Sequence, residues 1–313
     1  MKPIVTLTIN PTIDLATTVD VVTPEHKLRC DSERRDPGGG GLNVARVIHE
    51  LGGETLALYP RGGPTGDLLE QLLAQKGLRR WSIAISGHTR ENFTVTERRS
   101  KREFRFVMPG PTLLEQEWQA LLESLSTVAA DAEYIVASGS LVPGVPVDFY
   151  ARVARVARKQ KARLVLDTAG EPLLAAKEEG VFMVKPNRKE FRDMMGAQVD
   201  DIAALPELAR AFLEKEHAEV LVVSLGADGA LLTTRQGQFQ AAPPPVETHS
   251  SVGAGDSFVG GMTLGLARGL APEEAFRWGI ASGTAALLSQ GTGLCRRADT
   301  ERLFPMVQPV RLA

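Results

Sequence analysis

The chain has 313 residues, 43% of them hydrophobic and 24% charged, which is enough for one large α/β domain or two modest ones with a substantial core. Its 36 basic and 38 acidic side chains leave a formal charge of −2, which argues against nucleic acid and anionic membranes as partners and favours small molecules or other subunits. The two cysteines, Cys30 and Cys295, fit neither a disulfide framework nor a zinc site, so we expect a cytoplasmic protein.

The N-terminal stretch MKPIVTLTINPTIDLATTVD predicts a strand that runs into a loop. Asn10, Pro11 and Asp14 soon interrupt its apolar residues, so no signal-peptide core forms. No apolar run reaches the roughly 18 residues that a membrane-spanning helix needs. We therefore expect no membrane partner.

Four strand-like segments in the first third, TTVDVV, KLRCDSER, ENFTVTER and KREFRFVMP, predict a small β-flap. Phe93 and Val95 alternate with polar residues on one side of an RRSK turn, and Phe104 and Phe106 do so on the other, as in a hairpin. We place the flap at about residues 14–36 and 88–108. The simplest cover for its open apolar face is a second copy, which predicts a homodimer.

The segment DPGGGGLNVARVIHELGG runs from four glycines, Gly38–Gly41, directly into an amphipathic helix. Glycines let a ligand approach the backbone closely, although a flexible loop explains them equally well. Asn43, on the first helical turn, favours a ligand site because its amide can hydrogen-bond hydroxyl groups.

From about residue 130, short apolar strands alternate with amphipathic helices. The strands include AEYIVASGS, RLVLDTAG, VFMVKPN and EVLVVSLG. This alternation predicts βαβ units and an α/β fold with a largely parallel central sheet.

In VKPNRKE, a strand ends, turns at Pro186 and starts a helix that carries Asn187 and Glu190 one turn apart. Ligands bind at this edge of open α/β sheets, and such hard oxygens suit Mg²⁺ held partly through water. An ordinary capping box explains the same pair, and taken alone the pattern favours it.

The stretch HSSVGAGDSFVGG places Gly253, Ala254 and Gly255 before an apolar helix and follows them with Asp256. Free N–H groups at a helix start attract anions, which a carboxylate should repel. Neither glycine cluster completes a dinucleotide fingerprint or a P-loop.

Taken in order, DPGGGGLNVAR, KPNRKE and SSVGAGDSFVGG resemble the signatures of the PfkB or ribokinase family of carbohydrate kinases over the whole chain. TLTINPTID, KLRC, TRENF, RFVMPG and SLGADGAL are most similar to the family's bacterial minor 6-phosphofructokinases. The resemblance implies a single ribokinase-like domain over residues 1–313, with helices on both sheet faces and the flap as a lid. It also implies transfer of the γ-phosphoryl group of MgATP to the 1-hydroxyl of fructose 6-phosphate, a step of glycolysis.

The resemblance also implies roles for individual residues. Asp256 would be the catalytic base, and the N–H groups of Gly253, Ala254 and Gly255 would form an anion hole. Fructose 6-phosphate would be held by Asp14, Gly38, Gly39, Asn43, Arg90, Ser140 and, across a dimer interface, Lys27. The nucleotide would be held by Lys185, Asn187, Ser224, Gly226, Gly229, Thr248, Ile280 and Thr284. Asn187 and Glu190 would act on Mg²⁺, with Glu190 acting through water.

A monovalent cation such as K⁺ is a further implied ligand, at Ser250, Val252, Ala286, Ser289, Gly291 and Gly293. The minor phosphofructokinase pattern has asparagine and arginine where this chain has Ser289 and Gly293, and a second proline where it has Val142. These departures bear on cation dependence more than on catalysis if main-chain carbonyls hold the cation.

Other functions stay open at this point. A related kinase would take tagatose 6-phosphate, fructose 1-phosphate or an unphosphorylated sugar, although those phosphosugar kinases typically carry lysine where this chain has Gly40. A non-catalytic sugar- or nucleotide-binding module on the same fold would bind without turnover.

Overall fold

A ten-stranded sheet forms the centre of the protein, and a separate four-stranded sheet lies beside it. The structure, a computed structural model, describes residues 3–196, 204–215 and 217–312. In chain order the strands are β1 (Ile4–Leu7), β2 (Thr12–Val19), β3 (Arg34–Gly38), β4 (Thr55–Arg61), β5 (Arg79–Ala84), β6 (Arg90–Glu97), β7 (Glu103–Phe106), β8 (Tyr134–Ser138), β9 (Arg163–Asp167), β10 (Val181–Val184), β11 (Ala218–Ser224), β12 (Ala230–Thr234), β13 (Gly237–Ala241) and β14 (Val310–Arg311). The helices are α1 (Gly40–Glu50), α2 (Gly63–Gln75), α3 (Glu115–Val128), α4 (Phe149–Gln160), α5 (Gly170–Lys177), α6 (Arg188–Met195), α7 (Leu205–Glu214), α8 (Ala254–Ala267), α9 (Pro272–Leu287) and α10 (Arg297–Leu303).

The large sheet has the strand order β14-β13-β12-β11-β10-β9-β8-β1-β4-β5. The seven strands from β11 to β5 run parallel, and β12, β13 and β14 add an antiparallel edge. β1 and β8 are buried along their whole length because both faces of the sheet are covered. The predicted α/β fold with a largely parallel sheet is confirmed.

Two hydrophobic layers hold the helices against the large sheet. α3 to α7 cover one face with large side chains such as Trp118, Phe149, Phe191 and Phe212, and α1, α8 and α9 cover the other. α1 and α8 approach closely, since a Cβ placed on Gly260 would lie 2.5 Å from Val47 Cγ1. Within the described residues, no helix combines the length and apolarity needed to cross a bilayer.

The small sheet has the strand order β3-β2-β6-β7. Phe93 pairs with Phe106 and Val95 with Phe104 across β6 and β7, the hairpin that the sequence predicts. Paired residues share a face, so these four side chains lie on one face together with Leu15, the partner of Phe93 on β2. We call this the apolar face of the small sheet.

The opposite face of the small sheet is polar. Asp14 on β2 pairs with both Asp36 on β3 and Asn92 on β6. β2 follows β1 closely in the chain, and β3 runs directly into α1. The small sheet is therefore attached where the large sheet and α1 meet.

The prediction of a strand at KLRCDSER is wrong for most of its length, because β3 begins only at Arg34. Residues 27–33 are exposed throughout, and a backbone hydrogen bond from Asp31 N to the Thr18 carbonyl ties the segment to β2. Charged side chains alternate there with isolated apolar ones, but the apolar ones find no buried surface to cover.

Candidate active site

A cleft of about 530 Å³ opens at the carboxyl ends of β8 and β9, beside the first turns of α1 and α8. Polar groups on its walls include Ser138, Ser140, Asp167, Glu190 and Asp256. Open α/β sheets bind ligands at this edge because loops and helix N-termini from several strands meet there.

Asp256 lies in the first turn of α8. Gly253, just before the helix, has φ of 74°, a left-handed conformation that favours glycine. The side-chain amide of Asn43 on α1 donates to the Asp256 carboxylate, with Nδ2 and Oδ2 2.9 Å apart. The close packing of α1 on α8 thus brings together two residues that are 213 positions apart in the chain.

The surroundings of Asp256 favour its protonated form. Burial, and secondly the negative charge of Asp167, raise its pKa from an ordinary 3.8 to about 7, although Asn43 and Lys185 act in the opposite direction. A carboxyl that titrates near neutral pH can exchange a proton with a substrate under physiological conditions.

A buried ion pair joins Asp167, which lines the cleft, to Lys185. Lys185 Nζ is 3.2 Å from Asp167 Oδ1, and its side chain is 8% exposed. Burial lowers the pKa of Lys185, but the charges of Asp167, Asp256 and Glu190 outweigh it and raise the pKa overall. Lys185 therefore stays cationic beside Asp167.

The first turn of α8 supplies amides for an anion. The leading N–H groups of a helix have no acceptor inside the helix, and the helix dipole adds positive potential at that end. Gly255 is exposed, and a Cβ placed on it would lie 3.7 Å from Lys185 Nζ. The start of α8 and Lys185 Nζ thus lie close together.

Asp14, on the polar face of the small sheet, lies against the first glycine loop. Asn92 Nδ2 donates to Asp14 Oδ1 at 3.0 Å, and burial raises the Asp14 pKa despite this hydrogen bond. A Cβ on Gly38 would overlap the Asp14 carboxylate, which explains a glycine there. Gly39 precedes α1 with φ of 105°, and a Cβ there would lie 2.8 Å from Thr8 Cγ2, so both the backbone and the packing favour glycine.

Arg90 and Ser140 meet around Asn10. Arg90 donates to the carbonyls of Met108 and Asn10 at 2.8 and 3.3 Å, and Asn10 Nδ2 donates to Ser140 Oγ at 3.2 Å. Arg90 Nε is buried and makes no hydrogen bond among the described residues. Lys27 is exposed in the loop between β2 and β3. Its side chain makes no hydrogen bond or ion pair with any residue that the structure describes.

The proposed nucleotide residues fall into two groups. Ser224 ends β11 and bridges to Asn187, and the turn that follows carries Gly226 and Gly229, both with positive φ. Thr248 is exposed in the extended segment before α8. Ile280 and Thr284 are instead buried in α9, where the Thr284 hydroxyl donates to the Ile280 carbonyl at 2.8 Å.

Asn187 and Glu190 form the capping box that their spacing allows. Asn187 Oδ1 accepts from the Glu190 N–H at 2.9 Å, and Glu190 Oε2 accepts from the Asn187 N–H at 2.8 Å. Glu190 also lines the cleft, and its hydrogen bond to the Asn187 N–H fixes the position of its carboxylate. Nowhere in the described part of the chain do three His, Cys, Asp or Glu side chains gather as a metal cage.

The six residues matched to a monovalent-cation site lie on two adjoining segments, 250–252 and 286–293. The His249 N–H donates to the Leu287 carbonyl at 2.8 Å and joins the segments. Ser250 Oγ accepts from the Val252 N–H at 3.2 Å, and the Ser289 hydroxyl donates to the Leu294 carbonyl at 2.8 Å. Ala286 and the glycines at 291 and 293 can contribute only main-chain oxygens.

The structure adds residues that sequence reasoning missed. Asp167 follows the strand RLVL directly, a signal that could have placed it at the ligand-binding edge. Asn10, Asp36 and Arg46 carried no such signal, because their contacts depend on how α1, the small sheet and the loop after α9 come together.

The chain is similar to several known proteins over nearly its whole length. Residues 5–299 match the model of the pfkB family carbohydrate kinases. The ATP-dependent 6-phosphofructokinase isozyme 2 of Mycobacterium tuberculosis is 46% identical over 310 residues, which cover 97% of this chain and 90% of that protein. The solved Escherichia coli phosphofructokinase-2 in complex with potassium has a TM-score of 0.94 at 40% identity and covers 98% of this chain and 99% of its own. The same enzyme in complex with fructose-6-phosphate has a TM-score of 0.93 at 39% identity, with the same coverage.

Proposed function

This chain belongs to the pfkB family of carbohydrate kinases, and from that premise we propose that it transfers the γ-phosphoryl group of ATP to the 1-hydroxyl of fructose 6-phosphate. The observation that carries the proposal is the position of Asp256, a carboxyl with a pKa of about 7 at the start of α8, next to Lys185 and the first-turn amides. A base and an anion site side by side are what phosphoryl transfer to an alcohol requires.

Asp256 removes the proton of the sugar hydroxyl as that oxygen attacks the γ-phosphorus. The O–P bond to the sugar forms while the bond to the ADP oxygen breaks, and the proton passes to the carboxylate. The amides of Gly253, Ala254 and Gly255 stabilise the negative charge on the transferred group. The nucleotide side is formed by Lys185 with Ser224, Gly226, Gly229 and Thr248.

The cleft fits a Mg²⁺ ion that enters with the nucleotide. No protein cage is found among the described residues, and Mg²⁺ commonly keeps its waters and binds chiefly through substrate phosphates. Asn187 and Glu190, fixed by their capping box, would hold it through water. When bound, the ion neutralises phosphate charge.

The acceptor is held between the glycine loop and the small sheet. Asp14 and Asn43 bind sugar hydroxyls, with the backbones of Gly38 and Gly39 beside them. Arg90 and Ser140 bind the 6-phosphate, and the unpaired, buried Arg90 Nε supports this assignment because it has a donor to offer. Lys27 of a second subunit adds a positive charge.

An acceptor panel tests the proposal. ADP release in a coupled assay should be fastest, by kcat/KM, with fructose 6-phosphate rather than tagatose 6-phosphate, fructose 1-phosphate or fructose. A preference for another phosphosugar contradicts the proposed substrate but leaves the proposed kinase activity standing. If ATP and sugar bind but no acceptor gives ADP release, the proposed enzymatic activity is contradicted and the protein is a binding module.

We also propose a K⁺ site at Ser250, Val252, Ala286, Ser289, Gly291 and Gly293. Both hydroxyls in this set already bond within their own segments, so main-chain carbonyls would supply most ligands. Replacing K⁺ by tetramethylammonium at constant ionic strength should then lower kcat, and adding K⁺ back should restore it. An unchanged kcat contradicts the site.

Finally, we propose that the protein works in the cytoplasm as a homodimer with the small sheet as its lid. Phe93 and Phe106 on the apolar face are 38% and 49% exposed, and such a surface is normally covered. Both cysteines, Cys30 and Cys295, are free thiols, which suits a reducing compartment.

A further inference from the structure

Arg46 is a nearly buried arginine on α1 that the proposed reaction does not use. Its side chain is 11% exposed. Arg46 Nη1 donates to Asn43 Oδ1 at 3.0 Å and also to the Pro37 carbonyl, and Nη2 lies 3.7 Å from Asp36 Oδ1. Asn43 is the residue whose amide nitrogen reaches the Asp256 carboxylate.

These contacts define which way the Asn43 amide points. An asparagine side chain has one acceptor oxygen and one donor nitrogen, whereas arginine can only donate. With Arg46 on its oxygen, Asn43 must turn its nitrogen to Asp256. A flipped amide would place its oxygen against the carboxylate and its nitrogen against the guanidinium, so both contacts would become repulsive.

Asp36 anchors Arg46 from the polar face of the small sheet. Its Oδ2 accepts from Arg34 Nε at 2.7 Å and from the Thr292 hydroxyl at 2.8 Å. Arg34 in turn donates to the Gln290 carbonyl at 3.1 Å. The small sheet and the loop after α9 are therefore joined at Asp36, one contact away from Arg46.

We propose that Arg46 is a positioning residue that fixes the amide of Asn43 so that its nitrogen faces the Asp256 carboxylate, with Asp36 and Thr292 holding Arg46 in place. The proposal rests on the proposed role of Asp256. It assigns to the chain Thr292–Asp36–Arg46–Asn43 a single task, which is to present the catalytic carboxyl to the sugar hydroxyl in one orientation.

A double-mutant cycle tests the proposal. Arg46→Met should lower kcat by about tenfold to a hundredfold, the range expected when a reacting group is slightly misplaced, while the KM for ATP stays nearly constant. In an Asn43→Ala background the same substitution should change kcat by less than about threefold, because its target is gone. Equal losses in both backgrounds overturn the proposal. Arg296→Met is the control, since Arg296 lines the same cavity as Arg46 and makes no hydrogen bond or ion pair with Asn43 or Asp256 among the described residues.

A spectroscopic measurement gives an answer without turnover. The side-chain amide resonance of Asn43, assigned by its loss in Asn43→Ala, should move in Arg46→Met and in Asp256→Asn but not in Arg296→Met. Thr292→Val, a milder change, should move it in the same direction and covers the case in which Arg46→Met does not fold. An unmoved resonance in the folded variants overturns the proposal. A chain that releases no ADP but shows these shifts contradicts the proposed function alone.

Discussion

At the scale of single residues, Asp256 combines two features that oppose each other. It lies among amides that attract anions, yet burial and the charge of Asp167 make its own ionisation costly. In the proposed mechanism the two features act on different atoms, because the amides would face the phosphoryl group and the carboxyl would face the attacking hydroxyl. Coulomb repulsion at contact distance is about 4 kcal/mol at an effective dielectric near 20, so Lys185 and the helix dipole are needed to offset it.

Removing the proposed base, Asp256, should slow the chemical step. We expect Asp256→Asn to lower kcat by about 10²–10⁴-fold with little change in the KM for fructose 6-phosphate, because a general base acts in the transition state. The measurement is steady-state ADP release, and Asp131→Asn, an exposed aspartate, is the control. Near-normal turnover in Asp256→Asn would remove the base from the mechanism.

The raised pKa of Asp256 also predicts a pH dependence of stability. Between its ordinary pKa of 3.8 and about 7, the unfolded chain loses this proton while the folded chain keeps it, so folding stability falls as pH rises through that window. Asp256→Asn escapes this penalty. The free energy of unfolding of Asp256→Asn, relative to that of the unsubstituted protein, should therefore increase between about pH 4 and pH 7. The increase should reach a few kcal/mol, at about 1.4 kcal/mol per pKa unit. Denaturant unfolding at pH 5 and 8 checks this, and a gain that is the same at both contradicts it.

At the scale of elements, α6 starts with a motif that has two uses. The sequence admitted either a capping box or a metal ligand at Asn187 and Glu190, and the observed hydrogen bonds establish the capping box. They leave the second use open, since the Glu190 carboxylate still lines the cleft. The capping hydrogen bond holds the Glu190 carboxylate in one position. A carboxylate that binds Mg²⁺ through water needs such a defined position.

Two substitutions of Glu190 separate these uses. Glu190→Gln keeps an oxygen for the Asn187 N–H, so the free energy of unfolding should change little while the Mg²⁺ concentration for half-maximal rate rises. Glu190→Ala should show the same Mg²⁺ effect and also lose about 1 kcal/mol of stability. Glu207→Gln, in the first turn of α7, is the control for removing a helix-start charge. An unchanged Mg²⁺ requirement in both Glu190 variants excludes the metal role.

Sequence patterns predicted the regular elements well and the irregular ones poorly. β8 to β11 follow from their apolar runs, and the β6–β7 hairpin follows from alternation around RRSK, whereas the antiparallel edge β12–β14 was not predicted. The strand prediction for residues 27–33 is wrong because strand-like composition produces a strand only where the apolar side chains can pack on a buried surface. Arg46 and Asp36 stayed hidden, because a contact between residues 36 and 292 leaves no local pattern.

At the scale of the whole molecule, the small sheet has one face in the site and one that is apolar and partly exposed. Asp14, Asp36 and Asn92 belong to the polar face, while Leu15, Phe93 and Phe106 belong to the apolar face. If two copies meet through their apolar faces, the position of each polar face over its cleft depends on the partner. Dimerisation and sugar binding should then be linked.

A charge on the apolar face tests this link. Phe106→Glu should convert the proposed dimer to a monomer at micromolar concentration, since burying an unpaired carboxylate costs several kcal/mol, and should raise the KM for fructose 6-phosphate. Trp81→Glu on the edge strand β5 is the matched control, because Trp81 is equally exposed, at 49%. Light scattering after gel filtration gives the mass. Dissociation by Trp81→Glu, or a dimer in Phe106→Glu, would place the interface elsewhere.

The packing of α1 against α8 has a consequence for synthesis on the ribosome. The apolar side of α1, with Val44 and Val47, is covered by a helix that starts about 210 residues later, at Ala254. At about 5–20 residues per second, the interval is roughly 10–40 s. A nascent chain carries α1 without this cover until α8 has been synthesised, and only then can Asn43 and Asp256 meet. A chain that terminates before α8 therefore lacks Asp256 and exposes the apolar side of α1. Such a product is a substrate for chaperones and proteases.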